Sequence, residues 1–556
     1  MLIRILPLIV ASLLFPLFAE EFQVSDVIHP AIAELSEPVV DKDFGKDQLM
    51  VSSSSAEAAT HVAQGIARLN ASWDFEAYRH FCAAAERDPD CMMAYWGIAM
   101  SLAGSAHEFY DQREVAVDRM LDLLEAGKGV EIEKGYVEAG GRLLTGGVRE
   151  AGQTFQAIAK NFPADIQSKL FSLFLLRDGF DDFGKPRPGQ MKAREGLQEM
   201  VKEHPENLSV LSFWVSSQAE APMDAEMLRS EVLPSARKLA RLKPDYPPFA
   251  LMLAHVEARC GNATLAIEAC RTAITLFDEY MKVEKVPVYD CEGWVRAKVY
   301  LASLLATKGL FAEAIEVATE LAGIEISKER VYSAGAGMIL WEGRTIGARL
   351  EMGRSSKADF ETGLKLLDLQ KEEQWFKEQS FALGYRDCLA FYLGVRKAIT
   401  AKDANAARGL YEQFIDRARA FEVNKALAAK TSSYSSWLRA ANTLAVSASE
   451  LRGLISEMET GAMKMAAANW YEAAAERQNR PTNLLPPVID YPMEMRLGDL
   501  YLELDDADAA AKAYRKGLGI RPNHLQTLEG FHKALLKQGR KEDAREMEER
   551  IKAVKS

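Results

Sequence analysis

Residues 65–89 read GIARLNASWDFEAYRHFCAAAERDP, and residues 498–522 read GDLYLELDDADAAAKAYRKGLGIRP. Both open on glycine, carry alanine twelve residues on (Ala77, Ala510), and close on proline after twelve more (Pro89, Pro522). The copies lie more than 400 residues apart, so the match signals an internal repeat. Small residues at Gly65 and Ala77 let two antiparallel helices approach closely, where large side chains would hold the backbones apart. Phe81 and Ala84 then point to the next hairpin. Pro89 stops the second helix and starts the following one. A lone hairpin cannot bury its apolar faces, but stacked neighbours can.

Between the two copies runs a second pattern, a glycine followed five residues later by alanine: Gly261/Ala266, Gly309/Ala314, Gly353/Ala358 and Gly539/Ala544. Leu253, Leu301 and Phe531 stand eight residues before three of these glycines. Gly261, Gly309 and Gly539 are expected at hairpin turns, where a helix C-terminus commonly needs a left-handed residue. From Ala58 onward apolar residues recur at three and four, and strand-like alternation is nearly absent. The predicted fold is all-α, a superhelical solenoid of stacked antiparallel helix pairs.

The residues now resemble a known family. Gly65, Ala77, Phe81, Ala84 and Pro89 fall on consensus positions of the tetratricopeptide repeat, a unit of about 34 residues, and so do Gly498, Tyr501, Ala510, Tyr514 and Pro522. Residues 88–97, 184–189 and 490–492 resemble phrases of large exported bacterial proteins of this family. The resemblance implies a superhelical fold and protein binding. Relatives with these phrases carry histidines around the segments matching Ser212–Ser216 and Leu251–His255. Only His255 stands here, which removes the basis for a borrowed metal or catalytic role.

The chain has 556 residues, 48% hydrophobic and 27% charged, with a net charge of −12. That balance suits a globular protein and opposes a dedicated nucleic-acid binder, whose phosphate contacts need concentrated Lys and Arg. Residues 1–19 carry Arg4, an apolar run to Phe18, and Ala19 before two glutamates. That is the order of a cleaved signal peptide, implying a periplasmic or extracellular protein with no stable membrane span after cleavage. The alternative is an uncleaved anchor, for which about 14 apolar residues are short of the ~20 that span a bilayer. Residues 20–57, with Pro30, Pro38 and Ser52–Ser55, read as a poorly ordered leader. Repeats are expected over 58–240 (partly degenerate), 241–480 and 481–556, the last with a capping helix whose run Arg540–Asp543, Glu546, Glu548 and Glu549 is a solvated face.

Candidates for chemistry are few. His107-Glu108-Phe109-Tyr110-Asp111 starts like a zinc-protease helix but has Asp111 in place of the second histidine. Ser235-Ala236-Arg237-Lys238 lacks the partner signatures of serine acyltransferases. Gly184-Lys185 is followed by Pro186 and cannot form a phosphate cradle. Gly335-Ala336-Gly337 lacks a preceding strand and reads as a close helix contact. Cys82, Cys91, Cys260, Cys270, Cys291 and Cys388 form no Cys-x-x-Cys pair, and buried free thiols are favoured over disulfides. His255 and Glu257 point to different faces of one helix, with His255 in the core or groove. Trp73, Tyr78, Phe81, Tyr95 and Trp96 are spaced as repeat packing.

No catalytic residue, metal ligand or cofactor is expected. The function predicted is an exported scaffold binding a protein or peptide in a concave groove, with His61, Gln64 and Arg68 facing that groove in the first repeat. The alternatives are an enzyme or metal-binding protein with a site between repeats, and a structural spacer in an envelope assembly.

Overall fold

The computed structural model describes residues 22–45, 49, 51–104, 107–180, 185–219, 225–354, 358–368, 381–431, 433–478, 485–489 and 491–555. The helices of eight or more residues are numbered here in chain order. The first is α1 (Ala56–Asn70), paired with α2 (Asp74–Arg87). There follow α3 (Met92–Ser101), α4 (Tyr110–Glu125), α5 (Glu131–Leu144), α6 (Val148–Asn161), α7 (Ile166–Leu176) and α8 (Pro188–Glu203). Next come α9 (Leu208–Ala219), α10 (Leu233–Leu242), α11 (Pro247–Arg259), α12 (Ala263–Glu284), α13 (Glu292–Thr307) and α14 (Phe311–Ala322). Then α15 (Arg344–Gly353), α16 (Phe360–Leu367), α17 (Phe381–Thr400), α18 (Ala404–Val423), α19 (Tyr434–Glu457) and α20 (Ala467–Gln478). The last four are α21 (Met493–Glu503), α22 (Ala507–Ile520), α23 (Leu525–Lys537) and α24 (Lys541–Lys555).

Each helix packs against the next, so the chain is a solenoid of antiparallel pairs, with no β-strand among the described residues. The spacing predicted from the sequence is realised atom by atom. Gly65 and Ala77 are buried between α1 and α2, and the Phe81 ring lies against Gly65 and Gly97. Tyr514 fills the same role between Gly498 and Gly530. Ala84 and Ala510 are fully buried, Tyr501 is half-buried, and Pro89 and Pro522 stand between one hairpin and the next. Gly261, Gly309 and Gly539 take φ of +80°, +82° and +74°, the left-handed turn that closes each hairpin.

Polar groups inside the stack are held in networks. Glu450 on α19 is fully buried, accepting from Arg496 Nε of α21 at 3.0 Å and from the Tyr392 hydroxyl of α17 at 2.7 Å. Burial pushes its carboxyl up, but Arg496 and Arg396 outweigh burial and hold it below the usual range. All six cysteines are buried free thiols.

The leader departs from the expectation that residues 20–57 are poorly ordered. Residues 22–45 form a strap with helical turns at Val24–Val27 and Pro30–Ala33, and Val27 and Phe44 are buried against the repeats. Ser55 caps α1, its Oγ accepting from Ala58 N–H at 3.2 Å. The Ser54 N–H donates to Asp88, and the Ser52 N–H to Glu133. Proline and serine broke the helical period as read, yet the backbone they leave extended finds its partners on repeat side chains.

Candidate functional site

The winding of the stack creates the site. The α1–α2 hairpin meets the α11–α12 hairpin, the sixth in order. Trp73, in the turn of the first, packs edge-on to Tyr246 and Tyr280, at 5.2 and 4.7 Å between ring centroids. Arg79 of α2 reaches Glu284 of α12 at 3.0 Å, and the Tyr280 hydroxyl donates to Glu76 at 2.6 Å. The next turn repeats the contact: Asn523 Nδ2, beyond α22, donates to the Gly261 carbonyl at 2.9 Å. Gly261 is needed there for space as well as conformation, since a Cβ would stand 2.6 Å from Pro522.

Inside this closed turn lies a cleft of about 400 Å³. Its walls come from the first hairpin turn (Trp73, Asp74, Phe75), the end of α3 (Ser101), α11 and α12 (Leu251, Phe277), the start of α13 (Glu292, Arg296) and residues 331–341. The start of α19, with Ser435, Ser436 and Arg439, completes it. Three helix starts thus aim at one space.

One end of the cleft is acidic. The Asp74 side chain is exposed and lines the cleft, and the protein crowded around it, reinforced by Glu292, pushes its carboxyl up to about 7 against the opposing Arg296. Arg296 pairs with Glu292 at 3.3 Å. Beside them Asp290, 5% exposed, shares Arg330 with Glu108: Nη2 donates to Asp290 Oδ1 at 2.5 Å and Nε to Glu108 Oε1 at 2.6 Å. Burial pushes Asp290 up to about 6, opposed by Arg330 and reinforced by Glu108. Asp290 Oδ2, Glu108 Oε2 and the Ser101 hydroxyl are buried without a hydrogen-bond partner.

The residues predicted to face a groove are elsewhere. His61, Gln64 and Arg68 are 3%, 4% and 7% exposed, because the leader strap lies over them. Gln64 Nε2 donates to the Asp41 carbonyl at 2.8 Å and its Oε1 accepts from the Asp41 N–H at 3.1 Å. Arg68 donates to Gln64 Oε1 at 2.7 Å and to the Val39 carbonyl at 3.3 Å. His61 bridges His80 and Glu37, at 3.0 Å each. Helix spacing led to the expectation that the three face a groove, whereas the chain's own N-terminal segment covers them.

The remaining candidates settle into structural roles. The His107 side chain and Gly184 lie outside the described residues. No group of three His, Cys, Asp or Glu side chains able to hold a metal ion occurs among the described residues. Ser235 is buried on α10, while Lys238 reaches toward Glu206. Gly335 passes so close to the Val288 carbonyl that a Cβ would lie 2.2 Å away. His255, 1% exposed, bonds the Tyr300 hydroxyl in the core, and Glu257 accepts from Arg237 Nε at 2.7 Å. Tyr78, Phe81, Tyr95 and Trp96 are core, and Trp73 and Tyr78 are the two of the five that line the cleft. The acids of the cleft were missed, because residues 74, 290 and 292 meet only through the superhelical winding.

Residues 495–524, which span the α21–α22 hairpin and its following turn, match the family model of the tetratricopeptide repeat. That hairpin is a tetratricopeptide repeat. No curated protein matches the chain in sequence. Among solved structures, the chain is similar to the human IFIT1 dimer with PPP-AAAA, at 13% identity and a TM-score of 0.33, covering 96% of this chain and 98% of that one. It is similar to yeast Tom70 at 10% identity and a TM-score of 0.28, covering 88% and 90%. It is also similar to the APC/C hetero-tetramer Cut9–Hcn1 at 13% identity and a TM-score of 0.32, covering 86% and 76%. No helix among the described residues is long and apolar enough to cross a membrane.

Proposed function

We propose that the protein is an exported, non-catalytic scaffold that holds a protein or peptide partner in the cleft between its first and sixth hairpins. The cleft carries this reading: a concave space of about 400 Å³ with apolar walls and a few convergent polar groups is the form that ligand sites take. Export rests on the signal-like order of residues 1–19. Because the strap covers His61, Gln64 and Arg68, the partner is expected to engage the cleft rather than the exposed face of α1. A photo-crosslinking residue at Leu251 should capture a discrete partner in the native envelope, and one at exposed Lys512 should not. Equal capture at both positions, or none at Leu251, defeats the proposal.

A second reading is favoured by Asp74 alone. A carboxyl pushed up to about 7 inside a cleft has the acidity of a general acid–base. Turnover on a hydrolase substrate panel that disappears in Asp74→Asn would support it, and a blank panel would remove it.

A further inference from the structure

We infer that the acidic end of the cleft binds an organic cation, the ammonium or guanidinium of a lysine or arginine side chain presented by the partner. This rests on the scaffold reading above and names the chemistry that the cleft selects.

Charge balance is the first argument. Asp74, Glu292 and Asp290 line this end, with Glu108 joined to Asp290 through Arg330; the guanidiniums acting on them are Arg296, Arg330 and Arg79, the last already paired with Glu76 and Glu284. Glu292 is matched by Arg296, and Arg330 is divided between Asp290 and Glu108. Asp74 has no ion-pair partner of its own among the described residues. A cation entering beside it would supply the missing charge.

The second argument is independent of charge. Ser101 is 2% exposed and lines the cleft, yet its hydroxyl has no partner. Asp290 lines the same space, and its Oδ2 is buried and unpartnered. Leaving a buried polar atom unpaired costs free energy, so such atoms mark where a hydrogen-bonding group is expected. Of the four unpartnered atoms at this end, Asp290 Oδ2, Glu108 Oε2 and the Ser101 hydroxyl can accept and Arg296 Nε donates, so most of them suit a donor with several N–H groups, as ammonium and guanidinium are.

Shape and apolar lining separate an organic cation from a metal ion. Trp73, Phe277 and Leu251 stand beside the acids, suited to the alkyl stem of a basic side chain and to the face of its cation. No group of three side chains with metal-ligating geometry occurs among the described residues.

The test uses the full chain and isothermal titration calorimetry with three probes: an acetylated alanine pentapeptide with one central lysine, the same peptide with norleucine, and butylammonium chloride. The lysine peptide should bind at least about tenfold more tightly than the norleucine peptide, since charge-assisted hydrogen bonds are the strong ones. Asp74→Asn should weaken it by about tenfold while thermal unfolding stays unchanged or moves up, because the like-charge repulsion from Glu292 is relieved. On the unmodified chain, affinity should fall as pH drops from 8 to 6 and Asp74 takes up a proton. Equal binding of the norleucine peptide, or no effect of either Asp74→Asn or pH, overturns the inference. Butylammonium binding as tightly as the peptide would overturn the assignment to a partner's side chain in favour of a free-amine site. Crosslinking at Leu251 with no lysine preference would leave the scaffold standing and remove only this inference.

Discussion

The Phe81 ring occupies the place of a Cβ on Gly65: its Cζ stands 2.7 Å from where that atom would be. One aromatic side chain thereby sets the closest approach of α1 and α2, and reaches α3 through Gly97.

Phe81→Ala should cost about 3–5 kcal/mol by emptying this contact. Gly65→Ala should also destabilise, because a rigid ring cannot yield cheaply. Exposed Gly519 in α22 has open space around it, so Gly519→Ala should stabilise by roughly 0.5–1 kcal/mol. Hydrogen exchange over the α1–α2 and α21–α22 hairpins measures all three, and a Gly65→Ala protein as stable as its parent would contradict the packing argument.

Ala510 is fully buried and Lys512, two residues on, is exposed. Ala510→Arg should unfold the α21–α22 hairpin, and Lys512→Ala should change stability by less than about 0.5 kcal/mol. Equal tolerance, read from denaturant midpoints, would place the repeat in the wrong register.

His524 caps α23, its Nδ1 accepting from the Thr527 N–H at 3.3 Å, and burial with Arg521 nearby lowers its pKa to about 4. An unfolded imidazole takes its proton near 6.5, so between 6.5 and 4 the unfolded state binds more protons. Stability should therefore fall as pH falls through that window, by at most about 3 kcal/mol from this group. His524→Asn keeps a capping oxygen without titrating. The melting-temperature difference between pH 7 and pH 4.5 should be smaller in the variant than in the parent.

Gln64 bonds the strap backbone through both ends of its amide. Gln64→Ala should leave those strap groups unpaired, at about 1–3 kcal/mol, and speed proteolysis within residues 37–45 while α21–α24 keep their protection. Uniform loss of protection across the chain would mean that the strap is not an independent element.

The hairpins were legible because close approach demands small side chains at set intervals, which Gly65, Ala77, Gly498 and Ala510 display. The strap was not, since Val39, Asp41 and Phe44 are held largely through backbone carbonyls and amides, which leave no mark in side-chain spacing. His61, Gln64 and Arg68 were expected to face a groove, but what covers them is a tertiary fact. Asp74 and Glu292 each read as an ordinary acid in the first turn of a helix, and their meeting depends on how far five intervening hairpins rotate the stack.

That Arg79 closes on Glu284, 205 residues further along the chain, has a bearing on how the molecule is made. A linear array of repeats can nucleate anywhere and zip by neighbours, with little loop entropy at stake. Here the seam between the first and sixth hairpins can form only after some two hundred residues have been synthesised and coiled. Distant contacts of this kind slow the search for the native state. The N-terminal coil should therefore mature late, with the seam as the last step of its assembly.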